Sequence, residues 1–173
     1  MSIRSAAAAD LPAIAAIYDA ILEQEAAGPV YTNWQRGVYP TIDTARQALE
    51  SGTLYAGEED GMLWGAVILN SIQLPEYRVI PWSIPAEETQ AAVIHTLCIH
   101  PAQAGQGRAR QMVAFCEDEA RRQGKSVMRL DTWEGNLPAN RLYPALGYRF
   151  AGATKFFFQG FIREVLNCYE KLL

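Results

Sequence analysis

The segment His100-Pro101-Ala102-Gln103-Ala104-Gly105-Gln106-Gly107-Arg108-Ala109 closes an apolar strand and opens an amphipathic helix. The first N–H groups of a helix have no intrahelical partners, and the positive end of the helix dipole lies beside them. Gly105 and Gly107 remove β-carbons that would hold a diphosphate away from the backbone. The backbone from Gly105 through Gln106, Gly107, Arg108 and Ala109 to Arg110 is therefore a candidate phosphate cradle. A strand-to-helix turn uses glycine in any case, so the loop alone admits that plainer reading too.

A second segment follows one strand later: Asn136-Leu137-Pro138-Ala139-Asn140-Arg141-Leu142-Tyr143-Pro144-Ala145-Leu146-Gly147-Tyr148. Together the two resemble the motif pair of the GNAT superfamily of N-acetyltransferases. That pair is a Gly-rich loop after an apolar strand, then Asn-x-x-Ala-x-x-Leu-Tyr-x-x-x-Gly and an aromatic residue. The motifs and their strands span about residues 93 to 150. One position departs from the pattern: Ala104 stands where the family usually has Gln or Arg, leaving neighbouring Gln103 or Arg108 to supply that polar contact.

The resemblance implies an α/β fold, with a mixed, mostly antiparallel sheet of about six or seven strands, splayed in the middle, and helices on both faces. It also implies acetyl-CoA as cosubstrate, lying in the splay. The backbone edge of Leu97, Cys98 and Ile99 would pair with the pantetheine amides as another strand does, and its N–H groups would polarise the acetyl carbonyl. Asn136 would hydrogen-bond the pantetheine arm, the alternative being an Asx-turn into a helix. Tyr143 would protonate the departing thiolate, the alternative being a core tyrosine on a short helix.

An amine with a pKa of about 10.4 costs around 4.6 kcal/mol to deprotonate at pH 7, so a base is useful. Strand parity puts His95 on the same face as Leu97 and Ile99. Some family members carry a glutamate near this point, whereas here the strand reads Val93-Ile94-His95-Thr96. Asp131 and Glu134, at the end of the next strand, are alternatives acting through a water, and a buried histidine satisfied by a neighbour is the structural alternative for His95.

Two irregular regions, residues 26–40 and 71–90, should hold the acceptor. Their aromatics, Tyr31, Trp34 and Trp82 foremost, with Tyr39 and Tyr77, either wall a pocket for an amine or fold down as a lid over the core. Glu76, Glu87 and Glu88 attract a cation or are simply solvated. The late run Phe156-Phe157-Phe158 with Phe161 is open to three readings: an interface in a homodimer, a substrate wall or core.

Around these residues the periodicity predicts a β-strand over 2–5 and a helix capped by Asp10, with Leu11, Ile14, Ala15, Tyr18, Ile21 and Leu22 on its buried face. A short helix from Thr41 or Asp43 follows, then a hairpin of 54–58 and 62–70 turning at Asp60-Gly61. Residues 92–99 read as a strand covered on both faces. Ala109, Met112, Val113, Cys116 and Ala120 fall at helical spacing before a C-cap at Gly124. A strand over 127–132, a helix over 138–146 and closing strands over 148–153 and 165–172 complete the chain.

Its 173 residues fit a single domain, and 15 basic against 19 acidic side chains leave no nucleic-acid footprint. Cys98, Cys116 and Cys168, an odd number among apolar neighbours, suggest neither a metal site nor a disulfide. No secretory or membrane segment is evident, so a cytoplasmic protein is expected. The reading is an acetyl-CoA-dependent N-acetyltransferase acting on a small-molecule amine. A protein or peptide acetyltransferase and a non-catalytic acyl-CoA sensor are the alternatives, while a dinucleotide-binding domain lacks its ribose-binding acid.

Overall fold

The computed structural model describes residues 2–158, 160 and 162–173, the side chain of Phe158 excepted. In chain order the elements are β1 (Ser2–Ser5), α1 (Leu11–Ala26), α2 (Ile42–Glu50), β2 (Leu54–Glu59), β3 (Met62–Asn70) and β4 (Ala91–Ile99). Then come α3 (Arg108–Arg122), β5 (Val127–Trp133), α4 (Leu137–Ala145), β6 (Arg149–Phe158) and β7 (Ile162–Leu172). The strands form an open, mixed seven-stranded sheet in the order β1-β2-β3-β4-β5-β7-β6. The chain groups into two compact units, Met1–Pro29 with Trp34–Leu69 and His95–Phe115, and Val30–Asn33 with Asn70–Ile94 and Cys116–Leu173.

In the first unit, β1, β2 and β3 are antiparallel neighbours, and Asp60 (φ 51°) and Gly61 (φ 77°) form the two-residue turn expected from their sequence. Ile14, Ile17 and Tyr18 of α1 and Ala45 of α2 pack on Leu54, Ala66 and Cys98; Leu11, Ile14 and Tyr18 are buried as expected, whereas Ile17 joins them and Ala15, Ile21 and Leu22 are only half-buried. Thr41 caps α2 by accepting a hydrogen bond from the Thr44 N–H. Asp10 departs from expectation. Its carboxylate accepts from the Ala7 N–H at 2.7 Å and pairs with Arg4, so it ties the end of β1 to the turn before α1 rather than capping the helix's own N–H groups. Gly65 allows β3 to come close to β4, because a β-carbon there would lie 2.7 Å from the Cys98 carbonyl oxygen.

In the second unit, Ala91–Ile94 of β4 pair in parallel with Val127–Leu130, and β5, β7 and β6 continue as antiparallel neighbours. The four residues of β4 in this ladder are all buried, which is why the segment lacks polar alternation. Tyr77, Ile80, Val93, Phe156, Leu166 and Cys168 form the core, with Trp82 and Trp133 packed against it. The region between β3 and β4 forms only short 3-10 turns (Pro75–Val79 and Glu88–Gln90), as its prolines dictate.

The two closing strands run well beyond their predicted ends. The β6–β7 register shifts between Phe150 and Gly152, just before the expected end of the first strand at residue 153, and pairing then continues through Phe158↔Ile162. Phe156 is buried and Phe157 is exposed on opposite faces of this extension, while Phe161 and the Phe158 side chain lie outside the described residues.

Candidate active site

The glycine loop leads into α3, a 15-residue helix. Ala104, Gly105, Gln106 and Gly107 are exposed, and the two glycines take φ of 75° and 77°, a region that favours glycine. A β-carbon at either would meet nothing within 4 Å, so the backbone borders open space at the N-terminus of a long helix. That arrangement fits a diphosphate. The guanidinium of Arg108 is committed elsewhere: it is buried, pairs with Glu59 and lies 5.2 Å from the Trp64 ring centre. Only its backbone remains for an anion, and Arg110 is exposed. The far end of α3 closes as predicted: Gly124 (φ 75°) donates to Arg121 O and Lys125 to Ala120 O.

The parallel ladder of β4 ends at Ile94↔Leu130, although β4 continues to Ile99. Thr96 explains the break in regularity. Its φ is 47° and its hydroxyl is hydrogen-bonded to that of Tyr39. Because a left-handed residue interrupts strand alternation, counting by twos from Leu97 does not fix the face taken by half-buried His95. Beyond Thr96, the His100 N–H donates to Trp64 O and the Cys98 carbonyl lies beside Gly65. Strand alternation then turns the N–H groups of Leu97 and Ile99 to the edge away from β3. Burial pushes the Cys98 thiol up to about 12, which makes it a poor nucleophile.

Asn136 caps α4, its side-chain oxygen accepting from the Ala139 N–H at 3.2 Å. Tyr143 lies in the last turn of α4 and is buried, 5.7 Å from the ring centres of both Tyr148 and Tyr169. Burial, reinforced by the charge of Asp131, raises the Tyr143 hydroxyl well above the ordinary phenol range, so it holds its proton at any working pH.

Asn140, assigned no role from the sequence, is the polar hub of this motif. Its amide donates to the carbonyls of Trp133, Glu134 and Asn136, and its oxygen accepts from Asn167 and Tyr169. One side chain thus fixes the end of β5, the start of α4 and β7 to one another.

The insertion and the 26–40 loop each place a donor on a carboxylate. The Tyr77 hydroxyl donates to Asp131 at 2.7 Å, and the Asn33 amide donates to Glu164 at 3.2 Å. Burial pushes the Asp131 carboxyl up to about 6 and that of Glu164 up to about 7. The loop aromatics divide between packing and exposure. Trp34 packs edge-on to Tyr18 and Tyr39, Trp82 lies under the Arg129 guanidinium at 4.4 Å, and Tyr31 is exposed. Glu87 and Glu88 are exposed.

The chain belongs to the GNAT acetyltransferases: the model of the Acetyltransferase (GNAT) family matches residues 15–148. An N-acetyltransferase from Staphylococcus aureus Mu50 superposes with a TM-score of 0.71 at 24% identity, covering 99% of this chain and 97% of that one. YncA of Salmonella typhimurium, whose structure holds its cofactor acetyl-CoA, gives a TM-score of 0.71 at 24% identity over 100% of this chain and 94% of its own. A ribosomal-protein-alanine N-acetyltransferase from Brucella melitensis gives a TM-score of 0.71 at 23% identity, covering 100% of both chains. At these identities the likeness is one of fold. No curated protein sequence matches the chain. Among the described residues no helix is long and apolar enough to cross a membrane, and no group of three or more His, Cys, Asp and Glu side chains is placed to hold a metal ion.

Proposed function

We propose that the chain works as a single acetyl-CoA-dependent N-acetyltransferase domain, moving the acetyl group to the primary amine of a small molecule by direct attack. The observation that carries this reading is the loop of two left-handed glycines bordering open space at the start of α3. Backbone N–H groups from Gly105 to Arg110 would hold the pyrophosphate, and the outward edge of Leu97 and Ile99 the pantetheine arm, with Asn136 as a further donor. Bound acetyl-CoA supplies an activated thioester. The N–H groups near Leu97–Ile99 would stabilise charge developing on its carbonyl oxygen, and Tyr143 would give its proton to the leaving sulfur. The inert Cys98 thiol supports direct attack over a covalent enzyme intermediate.

Thermal unfolding with acetyl-CoA, CoA, NAD and ATP tests the cofactor. At about 100 times the dissociation constant, binding adds about 2.7 kcal/mol, a rise in Tm of roughly 5–10 °C. Acetyl-CoA and CoA alone should produce it, and no shift with either would sink the reading. Among neighbouring structures, the ribosomal-protein-alanine N-acetyltransferases keep a peptide acceptor as the second reading. Peptides that outcompete free amines as acceptors would establish it.

Two residues are rivals for the base, His95 and Asp131. A carboxyl with a pKa of about 6 is mostly ionised at pH 7 and loses its proton-accepting form as pH falls through that value. Asp131→Asn should then remove the inflection near pH 6 from the acid limb of the kcat/KM profile and leave a rate that rises until the amine deprotonates itself. The same result from His95→Ala, with the limb intact in Asp131→Asn, would assign the role to His95.

A further inference from the structure

Within the second unit, a pocket of about 550 Å³ opens at the β6–β7 hairpin, lined among others by Trp133, Glu134, Phe156, Phe157, Arg163 and Glu164. Its volume suits a small organic molecule, and its lining combines three aromatic residues with charged ones of both signs. Phe156 is fixed in the core and Trp133 packs against it, so two of the three aromatic walls are held by buried neighbours. Arg163 lies 5.1 Å from the ring centre of Phe157 on the exposed side. Glu164, paired across the ladder with Phe156, is half-buried, and its Oε2 is held by Asn33 from the 26–40 loop. An aromatic-lined pocket containing a carboxylate drawn partly out of water offers what a protonated amine on an apolar body needs: a counter-charge, and flat surfaces for the body.

We propose that this pocket is the acceptor site and that Glu164 is its specificity-determining residue, receiving the ammonium of a small primary amine whose aromatic body lies against Trp133 and Phe156, on the face of the hairpin that Glu164 shares with Phe156. The inference rests on the acetyltransferase reading for the use made of the bound amine, but not for the binding itself. It moves recognition of the cation from Glu76, Glu87 and Glu88 to a carboxylate on β7. Of the charged groups around Glu164, Asp131 of β5 acts on it through its charge, Glu134 just beyond β5 lines the same pocket, and Lys155 of β6 and Arg163 of β7 line it from strand positions that alternate to the opposite face of the hairpin. Burial and the nearby Asp131 charge favour the protonated acid, and an incoming cation favours the carboxylate. Affinity for a cation should therefore rise with pH through about 7 and level off until the amine itself deprotonates.

Titration calorimetry on the full chain tests this with 2-phenylethylamine as the cationic probe and 3-phenylpropionate as an anion of the same body. At pH 8 the wild-type protein should bind the amine and not the acid. Glu164→Gln should weaken amine binding by about tenfold or more and flatten its pH dependence, with acetyl-CoA affinity unchanged. Equal binding of the amine by wild type and Glu164→Gln, equal binding of amine and acid, or no amine binding by wild type would each overturn the proposal. The acetyl-CoA titration keeps the two claims separate. Amine binding that depends on Glu164 without any acetyl-CoA binding would sink the transferase reading and leave the pocket, and the converse would sink only the pocket.

Discussion

Tyr143→Phe is expected to lower kcat by roughly 10²–10⁴-fold, while Tm and acetyl-CoA affinity stay close to wild type. The substitution removes one oxygen and keeps the ring that packs against Tyr148 and Tyr169, so the core around α4 keeps its shape. What is lost is a proton donor. Burial and the Asp131 charge hold the Tyr143 hydroxyl in its protonated form, which an acid must retain until the sulfur departs. A loss in kcat with KM for acetyl-CoA unchanged would mark an interaction made only in the transition state. Single-turnover acetyl transfer measures it directly, and a rate within about twofold of wild type would remove Tyr143 from the chemistry.

What the sequence made legible was local. In α3 the buried residues Met112, Val113, Cys116 and Ala120 recur at helical spacing and Gly124 closes the helix, so that element and the loop before it could be placed by counting. The Asn136–Gly147 motif falls on a short helix, as the proline in its first turn suggested, and Tyr143 is buried there. What stayed hidden depends on polar partners far apart in the chain. Asn33 reaches Glu164 across 131 positions, Tyr77 reaches Asp131 across 54, and Asn140 reaches Tyr169 across 29. No periodicity encodes such pairs, because each polar group needs only a partner and the fold decides which. Thr96 shows a different limit. Its left-handed backbone sits inside an apolar strand whose composition gives no sign of a bulge, and the parity argument for His95 depended on regular alternation.

The largest expected effect on stability lies in the clasp that holds the β3–β4 insertion, which no motif announced. Glu170 on β7 is fully buried and stands directly across the ladder from Arg129 on β5. Its carboxylate accepts from the Ser83 N–H at 2.8 Å, the Ser83 hydroxyl at 2.7 Å and the Ile84 N–H at 3.2 Å. Arg129, also buried, donates to Gln73 at 2.5 Å and to the Ile84 carbonyl at 3.2 Å, and its guanidinium covers Trp82. Two opposite charges inside the unit thus grip both backbone polarities of one segment. Glu170→Ala would leave the Ser83 and Ile84 N–H groups without their acceptor and Arg129 without the facing charge, at a cost of about 3–5 kcal/mol. For a chain of this size that lowers Tm by about 10 °C or more. Glu170→Gln, which keeps an acceptor oxygen but removes the charge, should fall between the two. The segment also carries Tyr77, the donor on Asp131, so a loosened insertion should shift the apparent pKa of the acid limb if Asp131 is the base, whereas damage confined to packing would lower Tm and leave that pKa in place. A change in Tm of less than about 2 °C for Glu170→Ala would show that the clasp contributes little and that the insertion is held by Tyr77, Ile80 and Trp82 in the apolar core alone.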